Sequence, residues 1–272
     1  MHRAYVQLRI GGISGCFYPS YHNSSTILVY GIGAPAIPDS GALKEADSVI
    51  RKGIDLFVPD YIGYGRSTGF FRPINCVETF LRLRRSFMGG CSAVNNFRGL
   101  RLRLRYDRIL FAGKSFGGRY ISLLPKFEPD VSDLALICPA LETGSYGNAY
   151  IEEESIKDFL RCMGKDGYSN LYRGFFHKGR ISREWRIHLS DKDDMAPLSN
   201  VQSMGDARIF IAHGRHDKSI NFHRSVSYYR MLRSAFPNKK RESLTLRLYN
   251  EDHGSGLAKK ALGAFVGWAL AR

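Results

Sequence analysis

Five short runs in this chain are apolar through their centres: residues 26–30 (TILVY), 55–59 (DLFVP), 108–112 (RILFA), 134–138 (LALIC) and 208–212 (RIFIA). A strand with one face in water alternates polar and apolar residues. A strand that is apolar throughout must be covered on both faces, as happens in a parallel sheet between two layers of helices. A sixth run, 244–248 (LTLRL), and two short strands within 4–18, broken at Gly11-Gly12, extend the set. Helical patterning lies between the runs, over 40–51, 76–88, 116–124 and 256–271. Strands alternating with helices predict an α/β fold, a mostly parallel central sheet with helices on both faces.

The interval 142–205 breaks the alternation with Glu152-Glu153-Glu154, clusters of Tyr and Phe, and Asp191-Lys192-Asp193-Asp194. A structureless loop of that length is uncommon in a compact domain. The interval reads as an inserted lid between the two parts of the core, 1–141 and 206–272. A length of 272 residues suits one α/β domain, and an apolar share of 44% excludes wholesale disorder. The longest apolar stretch, 261–271, falls short of the ~20 residues of a membrane span. Residues 1–10 alternate like a strand and show no apolar signal core, so no secretory leader is expected. The five cysteines form no C-x-x-C pair and have no histidine at zinc spacing. They read as reduced thiols in a cytoplasmic protein, and no metal or cofactor is expected.

The formal net charge is +15. Its densest stretch holds Arg82, Arg84, Arg85, Arg98, Arg101, Arg103, Arg105 and Arg108, with Asp107 as the only acid within 81–108. In 100–105 (LRLRLR) the period of two puts arginines on one face and leucines on the other. The stretch reads as a solvated face. The alternatives are an anionic membrane surface, an acidic substrate or nucleic acid, and no zinc-finger spacing or aromatic RNA-binding motif supports the last.

Gly113-Lys114-Ser115-Phe116-Gly117 stands directly after one strand and before one helix. It matches G-x-S-x-G, a nucleophile elbow. The serine must sit on a tight turn so that its hydroxyl projects above the sheet, and the flanking glycines leave room where strand and helix nearly collide. The N–H of Phe116 then points at a developing oxyanion from a helix N-terminus. A serine hydroxyl needs a base oriented by an acid, and the elbow implies the chain order serine, acid, histidine. Asp217 follows the run 208–212, and His253 lies in the loop after the last strand. Both are at carboxyl ends of strands, where open parallel sheets hold their sites. The expected triad is Ser115, Asp217 and His253.

With these residues the chain resembles the α/β-hydrolase family over roughly 5–272. The turn Asp60-Tyr61-Ile62-Gly63-Tyr64-Gly65-Arg66-Ser67 is similar to the D-x-x-G-x-G-x-S turn common there. By position, the resemblance makes Ile32 N–H the second oxyanion donor, although Tyr30-Gly31 stands where the family often has His-Gly. It implies a serine hydrolase of a small acyl substrate, with carboxylic esters first. The same elbow also serves aminopeptidase-like peptidases, thioesterases and acyltransferases. A reading from another class is a non-catalytic protein that binds an anionic partner through 82–108.

Other patterns compete. Residues 31–36 fit G-x-G-x-x-A with Asp60 as a ribose acid, but Pro35 and Pro38 oppose the helix that a phosphate site needs. Lys114-Ser115 mimics the end of a P-loop whose first glycine would be Arg108. Ser67 lacks a glycine two residues on, His213 and His216 read as strand-end or packing histidines, and Asp252 is too close to His253 to reach its ring. Glu142, after the run 134–138, is the competing acid.

Overall fold

The computed structural model describes residues 5–33, 36, 45–95, 97–142, 171–178 and 180–271. In chain order the elements are β1 (Val6–Ile10), β2 (Ile13–Tyr18), β3 (Thr26–Gly31), α1 (Asp47–Ile50), β4 (Asp55–Pro59), α2 (Pro73–Gly89), β5 (Cys91–Asn95), β6 (Arg101–Leu104), β7 (Arg108–Lys114), α3 (Phe116–Ile121), α4 (Leu124–Phe127) and β8 (Asp133–Ile137). There follow β9 (Phe176–His177), β10 (Arg180–Ile181), α5 (Arg183–Leu189), a 3-10 segment (Pro197–Met204), β11 (Arg208–Gly214), α6 (His223–Ala235), β12 (Leu244–Tyr249) and α7 (Ser255–Leu270).

One ten-stranded sheet runs β12-β11-β8-β7-β3-β4-β2-β1-β5-β6. From β12 to β4 every neighbour is parallel, and from β4 to β6 every neighbour is antiparallel. The wholly apolar runs are the parallel strands, and each divides its side chains between two cores. On β7, Phe111 joins Phe80, Leu83 and Tyr120 on one face, while Leu110 and Ala112 join Leu262, Phe265 and Val266 on the other. That is the period of two with both faces dry. On the second face α7 packs with α1. No helix among the described residues is long and apolar enough to cross a membrane.

Sequence and structure part company at three places. The helix expected over 116–124 is two, α3 and α4, with the Ser122 hydroxyl bonded back to the Arg119 carbonyl where they separate. Helix α6 escapes a periodicity search because it buries only Ser225, Tyr228 and Leu232, a narrow stripe. The leucine face of 100–105 is not buried as a unit: Leu100 is 59% and Leu102 37% exposed. β6 is an edge strand whose hairpin with β5 outruns the core: Ala93 is buried in it, Leu104 and Cys91 pack against it, and the leucines nearer the tip do not reach it.

Of the proposed lid, residues 143–170 and 179 lie outside the described residues. The described part packs inward: Tyr172, Phe175 and Trp185 are buried, Trp185 stacks on Phe71 at 4.7 Å, and its indole N–H donates to the Phe71 carbonyl at 2.7 Å. Three described cysteines, Cys76, Cys91 and Cys138, are free thiols. Phe265 ties α7 to the sheet and is fully buried, whereas Phe97 is 78% exposed. Phe265→Ala is expected to lower the unfolding free energy by ~3–5 kcal/mol, and Phe97→Ser by under ~0.5 kcal/mol, as read from urea denaturation.

Candidate active site

Strand β7 ends where three backbone segments crowd together. A Cβ on Gly117 would stand 2.1 Å from the Gly31 carbonyl oxygen, and one on Gly113 would stand 2.4 Å from the Gly117 carbonyl carbon. Only glycine fits either place. Between them Ser115 adopts φ 53° and ψ −118°, a conformation that costs a non-glycine residue ~1–3 kcal/mol. Backbone bonds hold it there: Ser115 N–H donates to Ile137 O at 2.9 Å, and Ala140 N–H donates to Ser115 O at 3.0 Å. Phe116 is the first residue of α3, so its N–H stands at the helix N-terminus.

The loop after β3 lies against the serine, since a Cβ on Gly33 would come within 3.1 Å of Ser115 Cβ. The Tyr61 hydroxyl donates to the Ile32 carbonyl at 2.9 Å and fixes that loop, and its ring meets Phe116 edge-on at 5.6 Å. The turn around Asp60 is structural. The buried Asp60 carboxylate accepts from Arg66 N and Nε at 3.1 and 2.9 Å, and Ser67 Oγ donates to Asp60 O at 2.7 Å.

His253 Nδ1 lies 2.7 Å from Asp217 Oδ2. The Asp217 side chain is wholly buried and that of His253 is 25% exposed. Asp217 Oδ1 accepts from the backbone N–H groups of Ser219 and Ile220 at 2.8 and 2.9 Å. His213 Nε2 stands 3.1 Å from Asp217 Oδ2, and the opposite ring nitrogen of His213 meets Ser225 Oγ at 2.7 Å. Burial alone would raise the Asp217 pKa, but the hydrogen bonds from His213 and His253, the charge of His253 and the Ile220 N–H outweigh it. The carboxyl is held well below the usual range.

Cys138 follows β8 at φ 36°, with its N–H on the Ala212 carbonyl. Its sulfur lies within 4.8 Å of the ligand atoms of Asp217 and His253. These three could hold a metal ion, although Asp217 and His253 already share a hydrogen bond; burial pushes the Cys138 thiol up. On the other flank Lys114 Nζ donates to the Gly254 carbonyl at 3.4 Å, joining the elbow to the histidine loop. Ser115, Asp217 and His253 therefore converge on one end of the sheet. Among the described residues Ser115 Oγ makes no hydrogen bond to the imidazole; such contacts often tighten only with substrate bound.

Glu142 sits elsewhere. Its backbone carbonyl accepts from Arg224 at 3.3 Å, and burial pushes its carboxyl up to about 7 against the pull of Arg224. Asp252 Oδ1 accepts from Gly254 N–H at 2.7 Å and shapes the histidine loop. His216 is exposed. His213, read from the sequence as a packing histidine, is buried and bonded to the acid. Its place as the polar residue at the apolar end of β11, four before Asp217, was the available signal.

No protein-family model matches the chain, and no curated protein matches it in sequence. Solved structures do resemble it. Est1E from Butyrivibrio proteoclasticus with ferulic acid bound is 17% identical, with 99% of this chain and 100% of that one covered and a TM-score of 0.58. The Pyrococcus furiosus esterase Pf2001 is 11% identical over 97% and 91% of the two chains, with a TM-score of 0.57. TT1662 from Thermus thermophilus is 14% identical over the whole of both chains, with a TM-score of 0.63. The chain has the α/β-hydrolase fold.

The depressed Asp217 carboxyl has a pH signature. A carboxylate held below its unfolded value stabilises the fold above that value, and the stabilisation is lost as pH falls through the folded one. Urea unfolding below roughly pH 4 is expected to show wild-type stability falling with pH, with a shallower fall in Asp217→Asn. Parallel curves for the two proteins would refute the assignment.

Proposed function

We propose that this protein is a serine hydrolase that cleaves carboxylic esters through an acyl-enzyme. The reading rests on one observation above all: a buried Asp217 carboxylate on His253 Nδ1, at the sheet end that carries Ser115 on a strained turn. In this reading His253 Nε2 takes the Ser115 proton as Oγ attacks the ester carbonyl. The tetrahedral oxyanion sits on the N–H groups of Phe116 and Ile32, each worth ~3 kcal/mol in comparable sites. As the intermediate collapses, His253 returns the proton to the departing alkoxide, and the alcohol leaves. Water, deprotonated by the same imidazole, then frees the acid and restores Ser115. Asp217 holds the Nδ1–H tautomer and offsets the imidazolium charge.

The esterases among the similar folds support ester over amide chemistry, and the ferulic acid bound to Est1E supports an aromatic acyl group for this chain too. A chain-length series of p-nitrophenyl esters and a feruloyl ester, run beside amino-acid amides, tests the substrate class. Faster turnover of the amides would favour the peptidase reading.

A fluorophosphonate should label Ser115 alone, and Ser115→Ala should abolish both labelling and turnover with the circular dichroism spectrum unchanged. Labelling that survives in Ser115→Ala overturns the proposal. The acid is tested separately by steady-state kinetics on the best ester. Asp217→Asn should cost up to ~10⁴ in kcat, since the amide favours the wrong tautomer. KM should change far less, and Glu142→Gln should lower kcat/KM by under ~10-fold. A larger effect of Glu142→Gln would transfer the acid role to Glu142.

A further inference from the structure

The arginines of 82–108 fall into two groups that behave differently. Those on α2 and β7 are neutralised: Arg82 pairs with Glu78 at 3.1 Å, Arg84 with Glu128 at 2.6 Å and Asp130 at 2.5 Å, Arg85 with Glu128 at 2.7 Å, and Arg108 with Asp133 at 2.9 Å. Those of the β5–β6 hairpin are not. Arg98, Arg101, Arg103 and Arg105 are exposed, no ion pair reaches them among the described residues, and 91–106 contains no Asp or Glu.

Cross-strand pairing sorts the hairpin into two faces. Arg101 lies opposite Val94, and Val94 lies opposite the exposed Arg9 of β1, so these share a face with Arg103 and Ser92. Leu102 and Leu104 share the other face with Ala93 and Cys91. The apolar face is covered at Ala93, which is fully buried, and in part at Cys91 and Leu104. Towards the tip it emerges as Leu102 at 37%, Leu100 at 59% and Phe97 at 78% exposure. Asn95 Oδ1 accepts from the N–H groups of Phe97 and Arg98, both at 2.9 Å, and shapes the turn that carries the phenylalanine outward. A merely solvated hairpin would carry polar residues at this tip and would pair its charges as α2 does.

We propose that the β5–β6 hairpin docks the protein on an anionic phospholipid surface. Phe97, Leu100 and Leu102 enter the boundary between headgroups and acyl chains, while Arg98, Arg101 and Arg103 bind the lipid phosphates. Uncompensated cations beside exposed apolar side chains match that interface on both counts. A nucleic acid would use the charge but leave the leucines in water. The topology also sets the orientation. β4 runs parallel to β3 and β7, and β2, β1, β5 and β6 then alternate in direction. The tip between β5 and β6 therefore lies at the sheet end opposite Ser115. Docking anchors the protein with its candidate active site facing the aqueous phase, so the inference stands independently of the hydrolase reading.

Co-sedimentation of the full chain with phosphatidylcholine vesicles, with and without phosphatidylserine, tests it. Binding is expected only with phosphatidylserine and should fall steeply as salt rises. Arg101→Glu with Arg103→Glu should weaken it by about thirtyfold or more, at roughly fivefold per lost cation. Phe97→Ser should weaken it by about tenfold. Phe97→Trp should shift its tryptophan emission to the blue on adding the anionic vesicles. Turnover of a soluble ester should be unchanged in all three variants. No sedimentation with anionic vesicles overturns the proposal. So does binding indifferent to Phe97→Ser, or tight binding of single-stranded RNA without binding to vesicles.

Discussion

The close approach of β3, β7 and α3 at the end of the sheet is the constraint on which the site depends. The backbone of Gly117 passes so near the Gly31 carbonyl that no side chain fits between them. That contact draws the loop of Ile32 and Gly33 over the serine and forces Ser115 into positive φ. The strain at one residue is small beside the parallel pairing of β3, β7 and β8 and the two apolar layers that enclose it. A scaffold this large can hold one residue in an unfavourable conformation, with the hydroxyl standing clear of the sheet.

Burial governs the charges around that residue. Asp217 is a carboxylate without water, and its oxygens are satisfied by two imidazoles and two backbone N–H groups. A second buried group lies behind the elbow on α3. Arg119, 1% exposed, donates through Nε to His188 Nε2 at 3.1 Å and through Nη2 to Asp191 at 2.7 Å. His188 Nδ1 in turn meets Asp193 at 2.6 Å, and burial lowers the His188 pKa. This network pins α5 and the turn after it to the helix that begins at the nucleophile. The acidic cluster of 191–194 thus bonds inward through Asp191 and Asp193 rather than forming a solvated run.

The positive charge is also unevenly used. Along α2 and the sheet, arginines are matched by Glu78, Glu128, Asp130 and Asp133 and serve the fold. On the hairpin at the antiparallel edge they have no such partners among the described residues, and the leucines nearer the tip lose their cover as the strands leave the core. Net charge alone does not distinguish these two populations; their surroundings do.

Much of this was legible in the chain, because it depends on local chemistry. Short runs that are apolar through their centres and alternate with helical patterns read as strands covered on both faces, and β3, β4, β7, β8 and β11 are these runs. Glycines two before and two after a serine, between strand and helix, mark a turn that no bulkier residue could make. The order of Ser115, Asp217 and His253 marked three strand ends that a parallel sheet must place on one side. What the sequence alone could not decide is which residues meet across distances that no local pattern encodes. His213 looks like any strand residue until α6 and the acid loop fold onto it. Cys138 reaches the acid only because β8 lies beside β11. The leucines of 100–105 have the spacing of a buried face, and only their place on the last strand of the sheet leaves Leu100 and Leu102 exposed. Periodicity states which residues share a face, whereas burial of that face depends on what the rest of the chain lays against it.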